Sequence, residues 1–388
     1  MKAINKTALA ASIAAASLFS SSLAQALELA TIDNTTIKIG GYIKLDAIAS
    51  SYSDGSLGAG NLGRDFYVPS LTPVGGNSAN STLDFHTKQT RFNIGTTTKL
   101  DGHTLKTFIE MDFQATPNGN ERVSNSYTPR LRHAFLTYDK WLFGQTWSTF
   151  QNVGALPETV DFIGNTDFGI FVRQPQIRYT SGNFQFSVEN PETTVTPNGG
   201  GTRIVTDQNP LPDVVARYNY SADGLSITAA ALMRQLSYNN GADDSNASSL
   251  GFSFSGKYAI GDDDIRFGFN TGSGMGRYIG LNVANGAVME SNGDLTAIDS
   301  TAYYLAYRHP WNAQWRSNIT YSAISIDNDT RLTGTGVTHA TDSLRVNLFY
   351  SPVKNLSFGG EVALANRELE SGADGSMNRL QFSAKLAF

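Results

Sequence analysis

The chain contains no cysteine in 388 residues, which excludes a disulfide framework and leaves the redox compartment open, since a secreted protein of this size can equally lack one. Long hydrophobic runs are also missing. The longest apolar stretch, Ala8 to Leu18, is about half of the ~20 residues that a helix needs to cross a bilayer, so no helical anchor is expected. There is no basic run or zinc-type spacing, and the net charge is −5; a nucleic-acid partner is therefore not expected. Phosphate loops and dinucleotide glycine patterns are absent as well, and no cofactor is expected.

What is present starts with an address. Lys2 and Lys6 precede the apolar run, a Ser-rich patch follows, and Ala24-Gln25-Ala26 closes it, the pattern of a secretory signal peptide with an Ala-x-Ala cleavage site. Residues 1–26 are read as that peptide, and 27–388 as a single domain with no linker or low-complexity segment. The count of 37 Gly, 22 Phe and 16 Tyr leans toward β-structure with many turns.

The periodicity agrees. In Thr36 to Ala49 the odd positions Ile37, Ile39, Gly41, Ile43, Leu45 and Ala47 are apolar, while Lys38, Lys44 and Asp46 fall between them; this is period two, a strand with one apolar and one polar face. The alternation returns at Leu105 to Phe113, Leu225 to Met233, Leu250 to Tyr258, Leu356 to Leu364 and Leu380 to Phe388. A soluble sandwich would alternate too, but these strands approach the 9–11 residues of a tilted membrane-crossing strand. Connections also alternate between short (Asp101-Gly102, Tyr138 to Lys140, Ser181-Gly182, Ser221 to Gly224, Gly261 to Asp263, His309 to Asn312, Ser351 to Asn355) and long (Ser50 to Ser81, Ala115 to Thr128, Thr149 to Phe171, Pro191 to Pro210, Thr271 to Ala297, Asp327 to Ala340). Short periplasmic turns and long external loops are the arrangement of outer-membrane barrels. About sixteen strands are expected, near 36–49, 88–99, 104–114, 129–138, 141–148, 172–180, 183–190, 211–220, 225–238, 249–260, 264–271, 299–308, 313–326, 341–350, 356–368 and 377–388. An open edge in lipid would strand backbone donors and acceptors, so the first and last strands must pair. Tyr42, Tyr138, Trp141, Tyr179, Tyr218, Trp311, Trp315 and Tyr350 are candidates for the interfacial girdles.

With the apolar face turned to lipid, the polar face carries Arg91, Lys106, Arg178, Arg217, Arg234, Lys257, Arg266, Arg308, Arg316, Arg345, Arg367 and Lys385, with Arg130 and Arg132 beside them. Acidic residues in the same phase are fewer: Asp46, Glu110, Asp112, Glu189 and Glu361. A basic wall inside an acidic protein concentrates anions and lowers their barrier to passage. Small anionic solutes, organic acids among them, are thus the expected partners, together with the surrounding outer-membrane lipids. For each arginine singly, an internal tie to a carboxylate or a loop carbonyl is an equal alternative. The segment after Trp147 holds Leu156, Val160, Phe162 and Ile163, too apolar to dangle in water. It is expected to fold into the barrel as a constriction, turning Glu158, Asp161 and Asp167 toward the arginines; an external lid or a subunit contact is the alternative.

Six stretches carry a family likeness: RDFYVPSLTPVGG (Arg64 to Gly76), FGQTWSTF (Phe143 to Phe150), VRQPQIRYTSG (Val172 to Gly182), GKYAIGDDDIRF (Gly256 to Phe267), TGSGMGRYIGLN (Thr271 to Asn282) and SPVKNLSFGGEV (Ser351 to Val362). They resemble the DcaP-like outer-membrane porins over nearly the whole mature chain. The resemblance implies a homotrimer of sixteen-stranded barrels with an inward constriction loop and uptake of dicarboxylates. Terminal Phe388 resembles the recognition signal for the barrel assembly machinery. One departure is that only Leu27 to Asn34 precedes the first strand, too short for the coiled coil that some members carry there.

Two rival classes are an embedded hydrolase and a non-conducting structural or adhesin barrel. His86, His103, His133, His309 and His339 are scattered, and His133 is expected to point outward with Leu131 and Phe135, so no nucleophile and base meet. No enzyme activity is expected. A lumen of sixteen strands cannot be filled by side chains alone. Asp262 to Asp264 and Asp327 to Asp329 are read as solvated turns and no metal site is expected.

Overall fold

The computed structural model describes residues 27–76, 79–115, 124–239, 241 and 244–388; the expected signal peptide lies outside them. Within them, eighteen hydrogen-bonded segments form one sheet. Asn80–His86 and Arg91–Leu100 both pair with Thr35–Tyr52 and are two halves of one strand, and Leu27–Ile32 is a short N-terminal segment, which leaves sixteen barrel strands. In chain order they are β1 (Thr35–Tyr52), β2 (Asn80–His86 with Arg91–Leu100), β3 (His103–Asp112), β4 (Arg130–Tyr138), β5 (Trp141–Trp147), β6 (Arg173–Ser181), β7 (Phe184–Glu189) and β8 (Asp213–Ala222). The second half comprises β9 (Leu225–Asn239), β10 (Asp244–Ile260), β11 (Asp263–Ser273), β12 (Asp299–Pro310), β13 (Trp315–Asp327), β14 (Thr338–Val353), β15 (Leu356–Leu369) and β16 (Asp374–Ala387).

Each strand pairs antiparallel with its sequence neighbour, and β1 pairs with β16 from Tyr42 with Ala387 to Tyr52 with Met377. The N–H and C=O of Phe388 both bond to Gly41 at 3.1 Å. No edge is left in the lipid belt, as the cost of unpaired backbone groups demands. Below Phe388, Leu27–Ile32 takes the stretch of β1 that β16 does not reach, pairing with Ile39 through Thr35. Gly41 has φ 151°, and a Cβ there would lie 2.1 Å from the Arg91 carbonyl oxygen, so the crossing of β1 and β2 requires glycine.

The faces sort as period two requires. Ile43, Leu45, Ile94, Ile109, Phe252, Phe254, Leu305, Val362 and Phe382 are exposed on the outside, while Lys44, Asp46, Glu110, Ser253, Thr320, Arg345 and Gln381 are buried on the inside. At the short-turn end, Trp141 stacks near Tyr179 with ring centroids 4.7 Å apart, Phe184 near Tyr218 at 4.8 Å and Trp315 near Tyr350 at 4.6 Å, forming an aromatic belt. Tyr42 does not belong to it: its even phase turns it inward, where the guanidinium of Arg91 lies 5.1 Å from its ring.

Three further expectations are corrected. A β-bulge in β4 sets Glu110 opposite His133 and Met111 opposite Leu131, so Arg132 is the extra residue and His133 also turns inward, where its Nδ1 meets the Thr146 hydroxyl at 3.0 Å. The connection after β1 is not a plain external loop, because Phe66, Tyr67 and Val68 are buried inside the barrel. Likewise, the connections after β7 and β11 supply Thr193–Thr196, Ile204–Thr206, Ala287–Met289 and Leu295–Ala297, which assemble a small second sheet. Its Val195 and Ala287 pack against Leu236 of β9.

Candidate functional site

Residues 148–172, between β5 and β6, fold into the lumen and run along its wall. Their course is fixed by a sequence of polar ties. Arg178 donates to the Trp147 carbonyl at 2.5 Å, Arg217 to that of Gln151 at 2.6 Å, Arg266 to that of Leu156, and Tyr304 to that of Ala155 at 2.5 Å. Arg316 then holds Glu158 through two donors at 2.8 and 2.5 Å, with Arg308 3.7 Å away. Burial works to raise the Glu158 pKa, but the hydrogen bonds and charge of Arg316, with Arg308 behind, hold its carboxyl below the usual range. The loop thus crosses β6, β8, β11, β12 and β13 in turn, each strand offering a donor where a loop acceptor passes.

At its tip the loop is clamped. Val160 donates to Glu361 at 2.8 Å, and its carbonyl accepts from Lys44 at 2.8 Å. Asp161, 3% exposed, sits 3.9 Å from Arg345 and 3.8 Å from Arg379 and accepts from the Tyr67 N–H at 3.2 Å. Asp167 accepts from four hydroxyls: Tyr67 at 2.8 Å, Ser322 at 2.7 Å, Thr341 at 2.7 Å and Ser343 at 2.5 Å. Burial, with the Asp167 charge beside it, pushes the Tyr67 hydroxyl well above its ordinary pKa, so it remains a donor. The three carboxylates anticipated in the constriction therefore tie it to the wall and to the inward connection after β1.

The positively charged residues divide into two sets. Arg178, Arg217, Arg266, Arg308 and Arg316 are the ties just described, and Arg345 pairs with Glu361 at 3.3 Å. Arg234 is buried over Asp213 at 3.1 Å and donates to the carbonyls of Gly274 and Met275. In the second set, Arg91, Arg130 and Arg132 stand together on β2 and β4. Arg130 and Arg132 each reach Asp112 at 2.8 Å, Arg132 reaches Glu110 at 2.7 Å, and Arg91 lies 3.6 Å from Glu110. Lys106 shares the inward phase of β3 further toward the short turns. Beneath the loop tip is an open cavity of about 330 Å³ lined by Tyr42, Lys44, Arg91, Asn93, Glu110, Phe162 and Lys385 among others. A continuous inner wall, an inward loop with positive charge facing it and a polar cavity below describe a channel with one constriction.

A family model described as DcaP outer membrane protein matches residues 15–388. The chain belongs to the DcaP family. Among solved structures, the outer membrane channel DcaP of Acinetobacter baumannii is similar at 22% identity, covering 93% of this chain and 99% of that one, with a TM-score of 0.75. OmpT of Vibrio cholerae in its trimer form matches at 12% identity, 92% and 100% coverage and TM-score 0.55. Salmonella typhi OmpF in complex with daunomycin matches at 13% identity, 92% and 100% coverage and TM-score 0.55. A search of curated protein sequences finds no match. Membership in the DcaP family makes the protein an integral outer-membrane channel rather than an enzyme.

Several residues of the DcaP-family lumen escaped sequence reasoning. Arg379 follows the inward phase of β16 and donates to Ser50 at 2.8 Å, so the period alone could have found it. Asp264 belongs not to a solvated turn but to the inner wall, 2.6 Å from Arg266 and 3.5 Å from Lys257. Tyr67 and Phe66 sit in a connection whose inward course has no signal in the alternation. Arg173 is out of phase with Gln174 and Gln176 and reaches the lumen only because the end of its strand leaves the wall.

Proposed function

We propose that this DcaP-family channel passes small anionic solutes by passive diffusion, organic acids with one or two carboxylates among them. One observation carries the reading: at the level of the constriction, four guanidinium groups (Arg91, Arg130, Arg132, Arg173) face two carboxylates (Glu110, Asp112). The excess charge in a narrow bore with low-dielectric walls favours anions. Arg178 and Arg217 add to it. Among the described residues they hydrogen-bond only to neutral acceptors, Gln176, Asn219, Thr228 and the carbonyls of Trp147 and Gln151; Arg178 is opposed by the charge of Glu189 without an ion pair to it, and Arg217 has no acidic partner. The same view makes Leu27 the first residue after signal-peptide removal, Phe388 the contact for barrel assembly, and a homotrimer the working unit, as OmpT of Vibrio cholerae has a trimer form.

The test is the reversal potential of purified protein in a planar bilayer under a KCl gradient. Anion preference is expected, and cation preference would overturn the reading. A unit charge ~10 Å from a permeating ion in water favours an anion and disfavours a cation by about 0.4 kcal/mol each, so Arg178→Ala and Arg217→Ala should each lower the anion-to-cation ratio roughly fourfold. An unchanged ratio in both would remove these two residues from the selectivity mechanism.

A further inference from the structure

Arg173 behaves unlike the other lumen arginines. The β4–β5 ladder stops at Ala134 with Gln145, while the β5–β6 ladder runs on to Trp147 with Arg173. The top of this hairpin therefore leaves the wall and leans into the bore, bringing Phe171 to within 5.4 Å of the Phe162 ring. That ring in turn lies 5.6 Å from the Arg132 guanidinium. The Arg173 guanidinium packs against two rings, 4.6 Å from Trp147 and 5.2 Å from Phe171. Its Nη1 is enclosed and has no hydrogen-bond partner, and among the described residues no carboxylate lies within ion-pair distance of it. Arg178, Arg217 and Arg266 each engage a backbone carbonyl and a side-chain acceptor, Gln176, Asn219 and Asp264 respectively; Arg173 does not, although it stands at the base of the same loop.

The rings beside it form a continuous series. Phe162 lies 5.2 Å from Phe66, and Phe171 lies 4.8 Å from Trp147, all at the constriction, with Trp147, Phe162 and Phe171 only half-buried. A guanidinium laid on aromatic faces keeps its edge for a carboxylate, which it binds through two parallel N–H donors in one plane; with Nη1 enclosed, that edge in Arg173 is the one formed by Nε and Nη2. A conjugated carboxylate shares that plane with its own ring, so the ring is carried onto the aromatic series, where stacked and edge-to-face contacts are favourable. A saturated body of equal size and charge gains the fork but not the stacking.

We propose that Arg173, with Trp147, Phe171 and Phe162, forms a subsite that selects planar arenecarboxylates over saturated carboxylates of the same size and charge. This rests on the anion-channel reading and goes beyond it, because charge alone would treat the two classes alike. The experiment is interruption of KCl conductance through the full-length mature protein in a planar bilayer by benzoate and by cyclohexanecarboxylate. Benzoate should interrupt the current at a several-fold lower concentration in the native protein. That ratio should fall toward one in Trp147→Leu, which removes the ring, and in Arg173→Lys, which keeps the charge and loses the fork. Equal potency in the native protein would overturn the proposal without any variant, as would a preference that survives both substitutions. Cation preference in the reversal potential would instead defeat the channel reading; anion preference without ring preference would defeat the subsite alone.

Discussion

The two sides of the lumen are built on different principles. On the side of β8 to β13 the inward loops pack like the interior of a soluble domain: Phe150, Phe168, Ile170, Leu232, Met275, Tyr278, Ile279 and Ile324 form one buried cluster. The Tyr278 hydroxyl is enclosed there and paired, donating to Asp213 at 3.0 Å and lying 3.2 Å from Glu189. On the side of β2 to β6 the rings are only partly covered, guanidinium groups outnumber carboxylates, and Arg173 keeps a spare donor. One side is a plug that holds the loops in place, and the other is the path. A sixteen-stranded bore is too wide to select by itself; filling one half leaves the other narrow enough for its charges to act on a passing solute.

The joint between the halves is Asp161, and breaking it should have the largest effect. Asp161→Ala leaves Arg345 and Arg379, both buried, facing each other without the carboxylate between them. Removing one partner of a buried pair costs about 3–5 kcal/mol. The strain should appear as release of the loop tip rather than loss of the barrel, because the wall hydrogen bonds are untouched. Single-channel conductance should rise and become noisy while the unheated protein keeps its folded electrophoretic mobility. Conductance equal to that of the native channel would show that the tip is held by Asp167 and Val160 alone.

The contrast is sharpened by two phenylalanines on the same loop. Phe168, 3% exposed, lies 4.6 Å from the Tyr304 ring and against Gly268, where a Cβ would come within 2.5 Å of it. Phe168→Ala should cost about 3–5 kcal/mol by opening a cavity in the packed half, read as a lower thermal midpoint. Phe162 is half-buried on the open side, so Phe162→Ala should cost well under half as much and raise conductance instead. Equal losses of stability would mean that the open side is packed as tightly as the other.

The wall was legible in the sequence because period two has a single physical cause: lipid on one side and water on the other, at every strand. Strand number, the inward phase of Arg91, Arg178, Arg217 and Arg345, and the apolar loop after Trp147 all follow from it. What the lumen contains was less legible. Alternation cannot say which loops turn inward, so Tyr67 and the small sheet at Thr193–Thr196 were invisible. It also fails where the strand departs from regular pairing, as at the bulge that turns His133 inward and at the end of β6 that delivers Arg173. Nor does phase reveal what an arginine will touch: Arg217, Arg234 and Arg266 prove to hold loop carbonyls, whereas Arg132, Arg316 and Arg345 hold carboxylates.

The smallest expected effect concerns acid. Glu158 has a folded pKa below its ordinary value through Arg316 and Arg308; a depressed carboxyl pKa contributes stability that is complete above the unfolded value, about 4.3, and is lost as pH falls through the folded one. Between pH 7 and pH 5 the loop middle should therefore be unaffected. Below about pH 4 the Glu158 tie should weaken, and since the neighbouring carbonyl ties of Arg266 and Tyr304 do not titrate there, the loop should loosen locally without leaving the bore. Conductance fluctuations recorded against pH should grow in the native channel over that range, whereas Glu158→Gln should show them already at neutral pH with little further change on acidification. If the variant and the native channel respond to acid alike, the acid response belongs to another carboxylate at the tip, and Glu158 is only a passive neighbour of Arg316.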